Sequence, residues 1–531
     1  MSDGNGSPAV RVVLGVLAVL GTLAGWALAS APGSAPDDAY HLSSIWCAQG
    51  VSEDRCREVP GDEEAREVPA GVSGYVSCFA GDPAKSAACQ AGAVRSPEPS
   101  VVTNAGNWNR AYPPLFYWLN SWFVSDHLAV SAVAMRMFSG LVGVGLVACL
   151  VALVPRRLRP AAALPLLLCS VPLGLSLIGS TNPSGWAVVA PFVLLLALHA
   201  SYAASGRRRT LLCGLAVVAA VVGSGARADA CLFTAMAVGL ALILNWGRLR
   251  ESRASLVAAA ASVGVAAAFF LGAGQASALS DGLGADGVLG PTAQMGWFEL
   301  AVFNAGQLPT LWTGALAVGP MGTAGWLDTA FPPVVGFLSL GALVVVLTLT
   351  WRRPRGVHAI ALLLTVAAMF AYPLYILGRT SLTVGQGVQP RYLLPLVVVL
   401  VALVLLTGDG DGRLTRTQAW SLAGALTVAH AVALHVQVRR YVTGLDVSDV
   451  DLSQGSEWWW GWSLGPTTVW LVASTAFAVL AALVLQVAIV RPDPAGSDDG
   501  SEDGSDRSGS PAPTSPVPNS PAAGGPAPGM P

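Results

Sequence analysis

Apolar residues fall in blocks of about twenty along most of this chain, with short polar breaks between them. Each block is long enough to cross the roughly 30 Å hydrocarbon core of a bilayer as an α-helix. The pattern predicts twelve spans, near 11–31, 128–154, 161–179, 185–204, 210–225, 229–246, 254–273, 332–351, 357–378, 391–407, 417–437 and 466–490. Arginines mark the breaks unevenly. "PRRLRP" (155–160), "GRRR" (206–209), "GRLRESR" (247–253) and "WRRPR" (351–355) alternate with loops poor in basic residues. By the positive-inside rule those four loops and both termini are cytoplasmic. The alternation requires the apolar stretch 300–319 to be interfacial or re-entrant, because a span there would move "WRRPR" outside. Arg439 and Arg440 then fall on the outer face, where Asp446, Asp449 and Asp451 are expected to neutralise them.

Composition sharpens this picture. Of 531 residues 53% are hydrophobic and 11% charged, against about 25% charged in soluble domains. The fold class is therefore an all-α polytopic membrane protein in contact with the lipid bilayer. The net charge is −2 and no nucleic-acid motif occurs, which argues against a nucleic-acid partner. Only Lys85 among 29 basic residues is a lysine, a bias that looks like a GC-rich bacterial genome and places the chain in a bacterial plasma membrane. The organisation expected is a cytoplasmic N-terminus (1–10), a transmembrane domain (11–490) and an acidic, then Pro/Ser/Gly-rich, disordered cytoplasmic tail (491–531). Outer segments 32–127, 274–331 and 438–465 are too long for simple turns, and such segments are usually functional. "WALASA" before Pro32 has the small-residue pattern of a signal-peptidase site. The long apolar run and a basic region of only Arg11 favour a retained anchor instead.

Cysteines divide by compartment. Cys149, Cys169, Cys213 and Cys231 lie in spans, as small apolar packing residues. Cys47, Cys56, Cys78 and Cys89 share the first outer segment, where four cysteines suggest two disulfides with three possible connectivities. Sequence proximity favours 47–56 with 78–89. A zinc site is the alternative, but the spacings lack a short CxxC knuckle.

Several residues outside the cores of the spans could carry chemistry. In "PDDAYH", Asp37 and Asp38 follow the first span by about six residues, close to the headgroup level. A carboxylate pair there can act as general base toward a hydroxyl, hold a divalent cation such as Mg or Mn against a lipid phosphate, or be a solvated turn; His41 is a candidate assistant. "NWNRAYPPLFYWLNSWF" (107–123) holds Tyr112 and Tyr117 and reads as an interfacial aromatic belt or a platform beside a lipid-linked substrate. Arg136 lies about 12 Å into the second span, where an unpartnered charge costs several kcal/mol, so it is a functional candidate. Arg227 and Asp229 in "GARADAC" are either a structural ion pair or part of a site. Asn182 lies in the turn "STNPSGW". Arg391, in "GQGVQPRYLLPL", opens a span from the outer face and suits a phosphate clamp. "SEWWWGWSLGP" (456–466) reads as interfacial anchoring or a surface that stacks on a sugar.

These landmarks occur in an order that resembles a family of predicted bacterial membrane proteins known as a domain of unknown function. "PDDAYH" resembles its acidic "DE..H" signature, and "YPPLFYW", Arg136, "NPSG" and "QPRYLLPL" resemble its later landmarks, over about residues 10–490. Pro390 replaces the glycine that usually precedes the Arg-Tyr pair. That family is in turn similar to the GT-C superfamily of polyprenyl-phosphate-sugar glycosyltransferases. The resemblance implies a many-helix core with chemistry on the outer face. It implies catalytic roles for Asp37, Asp38 and His41, and substrate contacts from Tyr112, Tyr117, Arg136, Asn182, Arg227, Gln389, Arg391 and Tyr392. It also implies a polyprenyl-phosphate sugar donor, an envelope glycan or glycolipid acceptor, and inverting transfer. The rivals are a transporter or lipid flippase of envelope precursors, and a non-catalytic envelope-assembly protein. No internal repeat of the kind transporters show is visible.

Overall fold

A helix forms at each apolar block, because a bilayer leaves the backbone no partner but itself. The computed structural model describes residues 8–53, 55–96, 99–274, 295–406 and 414–486. The first span is α1 (Pro8–Ala29). The segment that follows folds as α2 (Asp38–Trp46), β1 (Arg57–Val59), β2 (Asp62–Pro69), α3 (Ala91–Arg95), β3 (Ser100–Thr103) and α4 (Leu115–Asn120). The remaining bundle is α5 (Leu128–Leu153), α6 (Arg159–Cys169), α7 (Leu173–Ile178), α8 (Ser184–Ala203), α9 (Gly206–Ser224), α10 (Ala228–Leu244) and α11 (Arg253–Gly272). It continues through α12 (Trp297–Gly314), β4 (Thr323–Ala324), β5 (Thr329–Ala330), α13 (Pro333–Thr350), α14 (Val357–Thr380), α15 (Pro390–Leu406), α16 (Arg416–Val442) and α17 (Pro466–Leu485). Eight of these are long and apolar enough to cross a membrane by length and composition, and α10 and α15 are shorter apolar helices.

Two details depart from the sequence reading, and a third, at 300–319, adds to it. The third block is not one helix: α6 stops at Cys169 and α7 begins at Leu173, with Pro172 between them. Segment 300–319 is largely helix α12, whose Trp297 and Phe298 are exposed at its start. Helix α16 runs to Val442, which puts Arg439 and Arg440 inside it. Their partners are also not the acids expected. Arg440 pairs with Asp328 at 2.8 Å and donates to the carbonyls of Phe79 (2.9 Å) and Lys85 (2.7 Å), tying three outer segments together. Arg439 donates to the backbone carbonyls of Asp449 and Asp451 rather than to their carboxylates. The tail 491–531 lies outside the described residues.

Helix α8 is the centre of the bundle. Its apolar window is 89% buried, against 28–44% in the other seven long helices. Helix α1 packs on α17 through small residues: a Cβ on Gly25 would lie 2.1 Å from the Ala473 Cβ, and one on Gly21 2.7 Å from that of Ala476. Such close backbone approach is how membrane helices gain packing where no hydrophobic drive separates helix from lipid. Trp26 donates to His430 (3.0 Å) and Trp460 to the Leu28 carbonyl (2.9 Å), fastening the C-terminal half of α1 to the rest.

Over the bundle sits a three-stranded antiparallel layer in the order β1-β2-β3. Ala65 and Val68 of β2 are buried, and Asp62, Glu63 and Glu64 at its start are exposed. Disulfides Cys47–Cys56 and Cys78–Cys89 close short loops on this layer. A disulfide of this kind contributes about 2–4 kcal/mol, and a layer this small has little core of its own. Reducing both bonds with a membrane-impermeant phosphine is therefore expected to make 47–103 protease-sensitive while the helices stay protected. Limited proteolysis read by mass spectrometry checks this; unchanged cleavage after verified reduction would show that packing alone holds the layer.

Candidate functional site

The chain turns sharply where α1 ends, and two adjacent aspartates leave the turn in opposite directions. Asp37 is the N-cap of α2 with φ 62° and ψ 14°. This left-handed conformation costs a non-glycine residue roughly 1 kcal/mol, though aspartate and asparagine tolerate it best. Its carboxylate makes no capping bond to the helix it starts. It faces outward, 46% exposed, and accepts a hydrogen bond from Arg391 Nη2 at 2.7 Å. Asp38, one residue on, is completely buried.

Asp38 belongs to the scaffold of the turn. Oδ1 accepts from the Thr181 hydroxyl, and Oδ2 accepts from the Gly33 amide at 3.0 Å and lies 3.6 Å from Arg136 Nη2. Arg136 is itself 1% exposed and donates to the carbonyls of Ala27 (2.8 Å), Ala31 (2.9 Å) and Ser30. Ala27 lies in the last turn of α1, where the helix leaves its last acceptors unsatisfied and carries partial negative charge, and Ser30 and Ala31 follow directly after it. The buried arginine thus caps one helix and neutralises Asp38. Asn182 acts beside them: Nδ2 donates to the Pro36 carbonyl (2.8 Å) and Oδ1 accepts from the Ser184 amide (2.9 Å).

On the Asp37 side, basic and aromatic groups converge. Arg391 is 4% exposed; besides Asp37 it donates to the Tyr392 hydroxyl (3.0 Å) and the Pro36 carbonyl (3.3 Å), and its Nε is buried without a partner. Arg227 grips Asp229 with two bonds of 2.9 Å and reaches Ser184 Oγ at 3.3 Å. Both guanidinium groups lie 5.0 Å from the centroid of the same Tyr392 ring, and Arg227 is 5.7 Å from that of Tyr112. His41, Tyr40, Tyr112 and Tyr117 form an aromatic wall with ring separations of 5.5–6.3 Å.

The protonation states follow from this packing. Burial alone would raise the pKa of Asp37, but Arg391, His41 and Arg227 outweigh it and hold the carboxyl below its ordinary value. Burial pushes Asp38 up, against the opposing pull of Arg136 and of hydrogen bonds from Thr181, Gly33 and Ala35. Burial holds His41 down at about 3, with Asp37 opposing and Arg227 and Arg391 assisting, so the imidazole is neutral at physiological pH. Its Nδ1 is 2.9 Å from the Tyr117 hydroxyl, and its Nε2 is buried without a partner. Burial raises Tyr112 and Tyr117, which keeps both phenols protonated.

A narrow cleft adjoins Asp37 and Arg391, lined by Ser30, Ser34, Ser180, Gln389 and Gln437 among others. Its volume is about 30 Å³, room for water rather than for a sugar. Gln437 is 2% exposed, donates to Ser30 Oγ at 3.1 Å, and leaves its Oε1 without a partner. Gln437, Thr181 and Tyr40 are the members that sequence reasoning did not select. Thr181 and Tyr40 do lie inside the flagged stretches "STNPSGW" and "PDDAYH"; Gln437 had no local signal.

The donor set does not fit a cation shared by Asp37 and Asp38. Both oxygens of Asp38 are committed within the core, and the two carboxylates face opposite sides of the turn. Among the described residues no group of three or more His, Cys, Asp or Glu side chains could hold a metal ion.

A family model for predicted membrane proteins, DUF2142, matches residues 20–400, which hold every group around Asp37 except Gln437. The chain belongs to the DUF2142 family. As the family description says, this DUF2142 protein is a membrane protein, and its helices make it multi-pass. No curated protein matches it. Among solved structures it is similar to ArnT from Cupriavidus metallidurans bound to undecaprenyl phosphate, at 14% identity and a TM-score of 0.39, over 91% of this chain and 78% of that one. At that level neither fold detail nor activity carries over.

The neutral His41 makes the stability of the DUF2142 protein pH-dependent. Its folded pKa of about 3 lies below the ordinary 6.5, so between those values the unfolded chain binds the extra proton. This contribution to stability is complete above pH 6.5 and is lost as pH falls toward 3. Asp38, with its raised pKa, acts in the opposite sense, so the comparison with His41→Gln is the measure. Thermal unfolding of the detergent-solubilised protein from pH 7.5 to 4.5 is expected to show a smaller acid loss in that variant. Parallel curves would mean that His41 binds its proton equally in the folded and unfolded chain.

Proposed function

We propose that this protein is a GT-C-type membrane glycosyltransferase, moving a sugar from a polyprenyl-phosphate donor to a hydroxyl of an envelope glycan or glycolipid at the outer face. The observation that carries the reading is the half-exposed Asp37 carboxylate 2.7 Å from the buried Arg391, with Arg227 and a neutral histidine beside it. In the resting site Arg391 is shared with Asp37. A donor phosphate competes for that guanidinium, and its unpartnered Nε offers a further donor. Binding of the phosphate frees Asp37 to act as base.

The transfer is then a single displacement. Asp37 takes the proton of the acceptor hydroxyl. The hydroxyl oxygen bonds to the anomeric carbon as its bond to the phosphate oxygen breaks, with inversion. The polyprenyl phosphate leaves with the electron pair, its charge stabilised by Arg391 and Arg227. The side chains of this chain carry every step. Gln389, Gln437 and the serines of the cleft stand beside this centre and offer hydrogen bonds to the sugar. The positive-inside rule supports an outer location for the site, and disulfides in the same segment support it too.

The test is transfer of radiolabelled sugar from synthetic polyprenyl-phosphate sugars in proteoliposomes, with Asp37→Asn as the control. Lipid translocation without transfer by the wild-type protein would favour a flippase instead.

A further inference from the structure

A second cavity lies at the other end of the helices. Helix α8 runs from Ser184, next to Asn182, through 20 residues to Ala203, about 30 Å at 1.5 Å per residue. Helices α5, α10 and α15 run the same way from Arg136, Arg227 and Arg391. Their far ends, with His358 at the start of α14, surround a cavity of about 440 Å³, the size of a ligand site. Arg157, Arg208, Arg248, His199 and His358 line it, and among the described residues no aspartate or glutamate does.

Cations at this end have an ordinary explanation, since helix C-termini carry partial negative charge. Part of the cluster obeys it. Arg208 Nε donates to the Leu153 carbonyl at the end of α5, and His358 Nε2 lies 3.2 Å from the Leu403 carbonyl of α15. His199 and Asn245 satisfy each other at 3.0 Å. Arg157 and Arg248 are different. Among the described residues neither guanidinium donates to a carbonyl or pairs with a carboxylate, although both stand exposed at the cavity rim. Two unspent planar forks over a polar, roomy cavity match the oxygen geometry of a phosphate. Leu158, Leu212 and Leu406 supply an apolar flank along which acyl chains can lie.

We propose that this cavity binds a phosphate group, carried by an anionic phospholipid of the arginine-rich leaflet or by a soluble phosphate. The site is separate from the Asp37 centre and does not depend on the reading of that centre.

The test uses the full chain in neutral detergent, titrated with phosphatidylglycerol, with phosphatidylcholine, or with inorganic phosphate. Binding is read by native mass spectrometry and by the thermal midpoint. The variants are Arg157→Gln with Arg248→Gln, and Arg352→Gln with Arg353→Gln, which removes the same charge at the same face away from the cavity. Saturable phosphatidylglycerol binding weakened about tenfold or more by the first pair alone supports the site with a lipid source. A midpoint shift with inorganic phosphate alone, lost in the first pair, supports it with a soluble source. Equal losses in the two pairs, or no preference over phosphatidylcholine together with no phosphate response, would overturn it. The midpoint without ligand separates a binding defect from a folding defect.

Discussion

Asp37→Asn is expected to lower sugar transfer by about a hundredfold to ten-thousandfold, the usual contribution of a general base, while the protein still inserts and folds. Asparagine is the right replacement because it tolerates the left-handed backbone at φ 62°, keeps the shape, and still offers Arg391 an oxygen acceptor. Alanine would add backbone strain and confuse the result. In the protein without donor the carboxyl of Asp37 is held below its ordinary 3.8, so it stays ionised through the physiological range and kcat/KM is expected to show no acid limb from it between pH 5 and 7.5. A variant with at least half the wild-type rate in proteoliposomes would remove Asp37 from the chemistry. The base would then have to lie elsewhere in the site, because transfer that survives Asp37→Asn still requires a transferase.

The largest effect on stability is expected one residue further on. Arg136→Met removes three hydrogen bonds to the end of α1 and leaves Asp38 buried without its cation. Breaking one side of a buried pair costs about 3–5 kcal/mol, and at 1% and 0% exposure solvent screens almost none of it. Folded yield and thermal midpoint in detergent should both fall steeply. Asp38→Asn should also destabilise, but less, because its one oxygen can still accept from the Gly33 amide while its NH2 donates to the Thr181 hydroxyl. The double variant should recover part of the loss, and the coupling energy measures the pair. A wild-type midpoint in Arg136→Met would contradict the structural role, and a change in donor affinity at unchanged stability would return Arg136 to the substrate site.

This division between neighbours shows where sequence reading stops. Hydropathy located the eight helices that are long and apolar enough to cross a membrane, because a bilayer demands about twenty apolar residues whatever their neighbours. It could not locate the interruption before Leu173, since a proline inside an apolar block kinks a helix in one setting and breaks it in another. "PDDAYH" announced a carboxylate pair at the outer face, but not which member faces solvent. Successive residues at a helix start point about 100° apart, and the backbone twist at Asp37 sets the direction of each. Partners far along the chain were equally invisible. Asp446, Asp449 and Asp451 are nearest Arg440 in sequence, yet Asp328 holds it from 112 residues away. Gln437 has no motif around it and is recognised only by the unpaired oxygen it leaves beside the cleft.

The two ion pairs at the turn also differ in when they can exist. Arg136 is 105 residues from Ala31 and arrives with the second long span, so the α1 end and Asp38 can be secured early as the chain enters the bilayer. Arg391 is 354 residues from Asp37, and most of the bundle must be inserted before it arrives. Through that interval Asp37 stands without its cation. The reactive half of the turn is thus completed late in biosynthesis, on a foundation laid near its beginning.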